Sequence, residues 1–328
     1  MSLKPRIISV SRRTDIPAFY GDWFMNRVRD GFAGYVNPFG GQRYLVDLRP
    51  DNVICFVFWS KNYQPFLGHL DTLTEMGYRA YFNFTITGLP SIFECNLVSS
   101  DDAVNTLKHL ADMTSPAHIN WRYDPIVISD VTPFDWHIER FSQLATQLRG
   151  ATERCYFSFA SLYGKVQRNF AEFQSRFGLN IQDPDLETRR RLANRMADIA
   201  AENGMTLHTC CGDDLITDRI FKAHCVDADI ISKLFDPSGQ TFKKVPTRKE
   251  CGCYESADIG AYDTCPHGCI YCYANINKRR AIDRHTDHDP DAVFLGWSKA
   301  QSDEWMQDLT LPESPAPEEA EPAQLSLF

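Results

Sequence analysis

VICFVFW, residues 53–59, is seven apolar residues in an unbroken row. A strand with one wet face would alternate apolar and polar residues, so a short continuous run reads as a strand buried on both faces. Sheets built of such strands are parallel and covered by helices. Working outward, similar runs recur as RIISV (6–10), AYFNFTI (80–86), INWRYDPIVI (119–128), RCYFSFA (154–160) and TLHTC (206–210). Helical patterns lie between them. DDAVNTLKHLADM brings Val104, Leu107, Leu110 and Ala111 onto one face. LETRRRLANRMADIAAENG gathers Leu186, Leu192, Met196 and Ile199, with Asp183 and Pro184 as start signals and Gly204 as a stop. YVNPFGGQRYLVDL reads as a hairpin turning near Gly40 and Gly41. Six β-then-α units predict an α/β fold, a partial (β/α)6 TIM-like barrel, with the ligand at the C-terminal ends of the strands.

The chain has 328 residues, 43% of them hydrophobic, enough for a large core. No apolar run reaches the roughly 18 residues that span a membrane. The opening MSLKPRIISVSRRTD is too short in apolar residues for a secretory signal, which predicts a cytoplasmic protein without a membrane partner. Eleven cysteines, an odd number, argue against a disulfide framework. Cys55, Cys95 and Cys155 stand alone and read as core fillers. The other eight fall between 210 and 272. Net charge is −9, but seven acids lie beyond residue 302 with no Lys or Arg among them, leaving a body near −2 in which a local basic groove is compatible with the composition.

The densest cysteine stretch is TCPHGCIYCYAN (264–275), which sets Cys265, Cys269 and Cys272 in CxxxCxxC spacing. Three thiolates so spaced can wrap three irons of a [4Fe–4S] cluster and leave the fourth iron open. Zinc, helped by His267, and a simple ferredoxin-like role are the alternatives. Upstream, Cys210, Cys225, Cys251 and Cys253 make a four-thiolate set for an auxiliary [4Fe–4S] cluster, with Cys211 as a replacement for Cys210. The alternative there is a mixture of buried thiols and a zinc site.

CPHGCIYCY, including Tyr271 before the last cysteine, resembles the cluster loop of the radical S-adenosylmethionine (SAM) superfamily. In that superfamily the loop normally follows the first strand, whereas here it follows the last. The stretches SRRTDIP, VFWSKN, FNFTITG, WRYDPIV and CGCYESADIGAYDTCPHGCIYCYAN resemble a bacterial family called domain of unknown function 1848, over about residues 6–280. The superfamily resemblance implies SAM bound through its amino and carboxylate groups, a reducing electron from a donor such as flavodoxin or ferredoxin, and a 5′-deoxyadenosyl radical that abstracts hydrogen.

Polar groups near the strand ends are candidates for the same site. Arg122 and Asp124 lie two apart on one side of a strand; similar arginines in radical SAM lyases that repair DNA hold SAM, and a buried structural ion pair is the alternative. Lys61, next to Asn62, and the strand pair Asn83 and Thr85 are further cofactor-binding candidates, as is Tyr271. Arg12, Arg13 and Asp15 follow the first strand and suit a substrate carboxylate or phosphate, against helix capping by Thr14 or Asp15. His208 and His118 read as satisfied core residues.

The chain ends QLSLF, Gln324, Leu325, Ser326, Leu327 and Phe328, which resembles the peptide that docks bacterial repair proteins on the DNA polymerase sliding clamp. A Pro/Glu-rich tether of about 15 residues would give it a reach of about 20 Å. These readings divide the chain into a barrel (1–245), a cysteine-rich iron–sulfur segment packed on it (246–300) and a disordered acidic tail (301–328). Together they lead to a radical SAM enzyme tethered to the clamp and acting on DNA, in lyase-like lesion repair. The rivals are radical SAM modification of a small molecule, peptide or tRNA, and a non-catalytic iron–sulfur or zinc module for structure or electron relay.

Overall fold

The computed structural model describes residues 4–162, 164–237 and 240–310. In chain order the strands are β1 (Arg6–Val10), β2 (Phe32–Val36), β3 (Arg43–Asp47), β4 (Val53–Ser60), β5 (Ala80–Thr85), β6 (Ile119–Ile126), β7 (Ile128–Ser129), β8 (Arg154–Phe159), β9 (Ile181–Gln182), β10 (Thr206–Thr209), β11 (Ile220–Lys222) and β12 (Ala257–Asp258). The helices are α1 (Ile16–Phe19), α2 (Gly21–Asp30), α3 (Leu70–Glu75), α4 (Ser100–Met113), α5 (Phe134–Gln147), α6 (Gly164–Phe177), α7 (Leu186–Glu202), α8 (Ala228–Phe235), α9 (Lys278–Thr286) and α10 (Lys299–Met306).

An eight-stranded parallel sheet in the order β11-β10-β8-β6-β5-β4-β1-β12 forms the frame. The sheet is open: β11 and β12 are its two edges and do not pair with each other. All six expected strands are present in it, and two short strands extend its ends. The expected hairpin is β2–β3, antiparallel from Phe32↔Asp47 to Val36↔Arg43.

The unbroken apolar run of β4 is explained by two separate packings. Phe56 and Phe58 join Phe82, Phe84, Trp121 and Phe157 in the core under the helices. Cys55, Val57 and Trp59 join Tyr81 and Tyr156 on the opposite face, against Ala223, Val226, Ile230 and Ile231. Both faces are dry, so no position on β4 is left to be polar until Ser60.

Helix ends follow local chemistry. Ser99 caps α4, its hydroxyl accepting from the Asp102 N–H at 3.1 Å. The start of α7 is two residues later than Asp183 suggests: Asp185 is the cap, accepting from the Thr188 N–H at 2.7 Å. Leu186 is correspondingly exposed, while Leu192, Met196 and Ile199 are buried. Gly204, in the left-handed region at φ 74°, turns the chain into β10.

The first residues of the stretch read as a disordered tail are helical. Residues 299–306 form α10, with Ser298 as its cap, and Trp305 packs on Phe294 and Trp297 beside the hairpin. The Arg43 guanidinium covers the Trp305 ring at 4.5 Å. A Pro/Glu-rich reading of the tail overlooked these aromatic anchors. Gln324, Leu325, Ser326, Leu327 and Phe328 lie outside the described residues. Among the described residues no helix is long and apolar enough to cross a membrane.

Candidate functional site

Because the strands run parallel, the loops after them meet along one edge of the sheet. There they enclose a cavity of about 1120 Å³. Its wall includes Arg12 and Arg13 after β1, Lys61 after β4, Thr85 of β5, Arg122 and Asp124 of β6, Ser158 of β8 and Cys210 after β10. Segments 243–258 and 262–275 supply much of the remainder, including Cys251, Cys253, Cys265, Cys269 and Cys272.

Cys265, Cys269 and Cys272 stand in this wall as free thiols. Their close surroundings push all three thiols up, Cys269 to about 12, where burial outweighs the opposing pull of Lys61. Gly268 makes the turn between the first two at φ 72°. The Asn275 amide donates to the Cys265 carbonyl at 2.6 Å, closing the loop on itself. His267 points elsewhere: Nε2 lies 2.7 Å from Asp15 Oδ2 and Nδ1 lies 3.3 Å from the Asn96 carbonyl. Both ring nitrogens are engaged by oxygens of other segments.

Asp15 is therefore an anchor of this loop. Besides His267, its carboxylate accepts from the Ser60 hydroxyl at 2.6 Å, the Lys61 N–H at 2.8 Å and the Ala18 N–H at 3.1 Å as the cap of α1. With four donors on two oxygens it has no capacity left. Lys61 is also committed, to Glu94 at 2.8 Å. The Tyr271 hydroxyl donates to the same carboxylate, and Thr87 donates to it at 2.9 Å. This buried Lys–Glu–Tyr group holds Tyr271 and the cysteine loop against the end of β4; Glu94 gave no signal in the sequence because it stands alone in a loop.

Arg12 and Arg13 flank Asp258, each 3.9 Å from its carboxylate. Asp258 also accepts from the hydroxyls of Ser9 and Ser11, both at 2.6 Å. Burial works against its charge, but Arg13, Arg12 and the serines hold its carboxyl below the usual range. Arg12 Nη1 is buried without a hydrogen-bond partner, and so is Nε1 of Trp59, another residue of the cavity wall. Two unpaired donors at one cavity are what a polar ligand would satisfy.

The upstream cysteines come together more tightly than their spacing implies. Cys210 interacts side chain to side chain with Cys211 and Cys225, Cys251 with Cys211 and Cys253, and Cys225 with Cys253, which closes a ring of five thiols. Arg122 Nη1 donates to Cys225 Sγ at 2.9 Å and pairs with Asp124, which also accepts from Ser158. Arg248 donates to Cys211 Sγ at 2.9 Å and reaches Cys210 Sγ at 3.6 Å. Arg122 thus serves the upstream thiols and a buried ion pair together. Among the described residues, no three His, Cys, Asp or Glu side chains converge on a point that would hold a single metal ion.

Asn83 does not line the cavity. It is fully buried, its amide donating to the Cys225 carbonyl at 3.2 Å and accepting from Asn120 at 3.3 Å. It positions the Cys225 turn together with the Tyr81 hydroxyl, 2.9 Å from the same carbonyl. Cys55 and Cys155 are buried core residues as expected, but Cys95 is exposed, its thiol 3.7 Å from the His267 carbonyl on the outer side of the loop, away from the cavity wall. His208 is satisfied by Thr206 and the Lys222 carbonyl, and His118 by Ser115.

Residues 7–274 match the family described as domain of unknown function (DUF1848). No curated protein and no solved structure matches the chain.

Proposed function

Since the chain belongs to the DUF1848 family, whose description assigns no activity, we propose from the site itself that it is a radical SAM-type [4Fe–4S] enzyme. The observation that carries this is the loop of Cys265, Cys269 and Cys272: three thiols in one cavity wall, with the only histidine of the loop turned away onto Asp15. That donor set fits an all-thiolate cluster with one corner left without a side chain. When bound, such a cluster supplies the electron that cleaves the sulfonium of SAM.

The residues of the chain have definite tasks in this reading. Glu94, Lys61 and Tyr271 fix the loop, and Asp15 fixes it through His267. Arg12 offers its unpaired guanidinium nitrogen to a carboxylate or phosphate in the cavity, and Thr85 stands in the same wall. The strand edge supports a partial-barrel frame around the ligand, with aromatic walls that keep water from a reactive centre.

DNA is the substrate class we favour. The whole chain is acidic, yet the cavity wall holds nine Lys and Arg against five Asp and Glu, among aromatic rings that include Trp59, Tyr35 and Tyr273. Cations interleaved with aromatics suit phosphates and bases. The QLSLF peptide would raise the local concentration at the sliding clamp.

Anaerobic reconstitution followed by a 5′-deoxyadenosine assay tests the enzyme class. Replacing Cys265, Cys269 and Cys272 with Ala should abolish that product; a wild-type cluster whose paramagnetic signal ignores added SAM would sink the reading. For the partner, deletion of Gln324–Phe328 should eliminate clamp binding. Retained binding, or none by the intact chain, removes the tether.

A further inference from the structure

Five thiols in one ring need a purpose that the cysteine loop does not provide. Cys210 follows β10 with its N–H held 2.8 Å from the Phe157 carbonyl, so it is fixed by the sheet. Cys225 is held through its carbonyl by Tyr81 and Asn83. Cys251 and Cys253 belong to a segment whose Val245 N–H bonds the Cys253 carbonyl at 3.0 Å. Three separate parts of the chain thus deliver thiols to one place, and none of them forms a disulfide. A hydrophobic core has no need of five sulfurs with two guanidinium groups aimed at them: Arg122 at Cys225 and Arg248 at Cys211 and Cys210. Cations there suit thiolates that carry negative charge.

The shape of the group says what it holds. A lone zinc needs four sulfurs about 2.3 Å from a single point. Here the five thiols lie together in one group at the cavity wall but do not converge on such a point. Cys210 and Cys211 are adjacent in the chain, so one of them with Cys225, Cys253 and Cys251 makes a set of four. Four positions are what the corners of a cuboidal cluster require.

We propose that Cys210, Cys225, Cys251 and Cys253 hold a second, fully thiolate-ligated [4Fe–4S] cluster that faces the same cavity as the cysteine loop, with Arg122 as a positioning residue that donates to its Cys225 sulfur. Cys211 is outside the ligand set, because it is the direct neighbour of Cys210, whose N–H is anchored to the sheet and which takes that position. This assignment rests on the gathering of these thiols at one place and on the two guanidinium groups aimed at them, and stands whether or not the cysteine loop binds SAM. A cluster with every corner taken by protein serves electron transfer or electrostatic control of the cavity, a role distinct from that of an open-cornered one.

Full-length chain reconstituted anaerobically with iron and sulfide is the material for the test. The intact chain should hold about eight irons and eight sulfides. The C265A/C269A/C272A variant should keep about four of each, and so should the C251S/C253S variant. The two clusters are read in opposite variants, so loss of one reading leaves the other measurable. Iron absent from C265A/C269A/C272A, or zinc without sulfide in its place, overturns the second cluster. Should C251S/C253S fail to fold, R122Q in the C265A/C269A/C272A background decides. It keeps every upstream thiol, and loss of the positive donor should shift the reduction midpoint of the remaining cluster to more negative potential. An unchanged midpoint would remove Arg122 from its assigned role. C211A should retain the full iron complement, and loss of half of it there overturns the choice of Cys210.

Discussion

At Asp15, one carboxylate does the work of several loops. It caps α1, receives Ser60 and Lys61 from the end of β4, and receives His267 from the cysteine loop more than two hundred residues later. Removing it leaves these donors buried and unpaired. The Asp15→Ala variant should lose about 2–4 kcal/mol of stability, from about 1 kcal/mol for the cap and about 1–3 for an orphaned buried donor. Chemical denaturation measures this, and an iron assay on the same sample should show a depleted cysteine loop. A loss within 0.5 kcal/mol would mean that water replaces the carboxylate. The sequence leaves Asp15 between capping and ligand binding, and in the structure it caps α1. What could not be read was His267 as its partner, because nothing local joins residues 15 and 267. Asp258 was invisible for the same reason, its serine and arginine partners being near the other end of the chain.

Strands of four or more residues were legible and shorter ones were not, while of the helices only α4 and α7 were placed. The six expected strands and the two expected helices coincide with observed ones to within a residue or two, because each carries a full period of apolar residues. β11 and β12, of three and two residues, have no period to read. Yet β12 matters most for the site: pairing Ile8 with Ala257 and Ser9 with Asp258 brings the cysteine segment beside β1. The cysteine loop therefore follows a strand next to the first one, although it is late in sequence. The hairpin was legible but its use was not. Gly34 on β2 donates its N–H to the Val293 carbonyl at 2.9 Å, and an added Cβ there would meet the Phe294 ring at 2.5 Å. Gly34→Val should therefore expel Phe294 and release α10 from the hairpin. Overpacking of this kind costs about 1–3 kcal/mol. Limited proteolysis should cut the variant between residues 290 and 310 before the rest of the chain; equal cleavage of both proteins would show that the segment docks by other contacts.

For the molecule as a whole, acid should act in two stages set by different groups. His137, His208 and His288 are each pushed down to about 4, burial being the main cause in all three. In the unfolded chain a histidine binds its proton near 6.5. Between about 6.5 and 4 the unfolded state thus holds protons that the folded state refuses, and stability falls as pH falls through that window. His137 is the clearest contributor, because its two nitrogens are used up: Nε2 lies 2.9 Å from the Val127 carbonyl and so must donate, leaving Nδ1 to accept from the Tyr123 hydroxyl at 2.8 Å. That neutral tautomer makes it worth up to about 1.4 kcal/mol per pH unit inside the window. Asp258 works in the opposite part of the scale. Its carboxyl is held below the ordinary value near 3.9, so its contribution is complete above that value and is lost only as pH drops further, toward the lowered folded value. Urea unfolding from pH 7 to 3 separates the two. His137→Gln should be less stable at pH 7 and show a flatter decline between pH 6 and 4.5. Asp258→Asn should be destabilised throughout that range by a constant amount and should approach wild type only below about pH 4. If the two variants lost stability in the same window, the buried histidines would not be the source of the first stage. The cavity and its cysteines would then have to be assayed with the carboxylates as the main acid sensors.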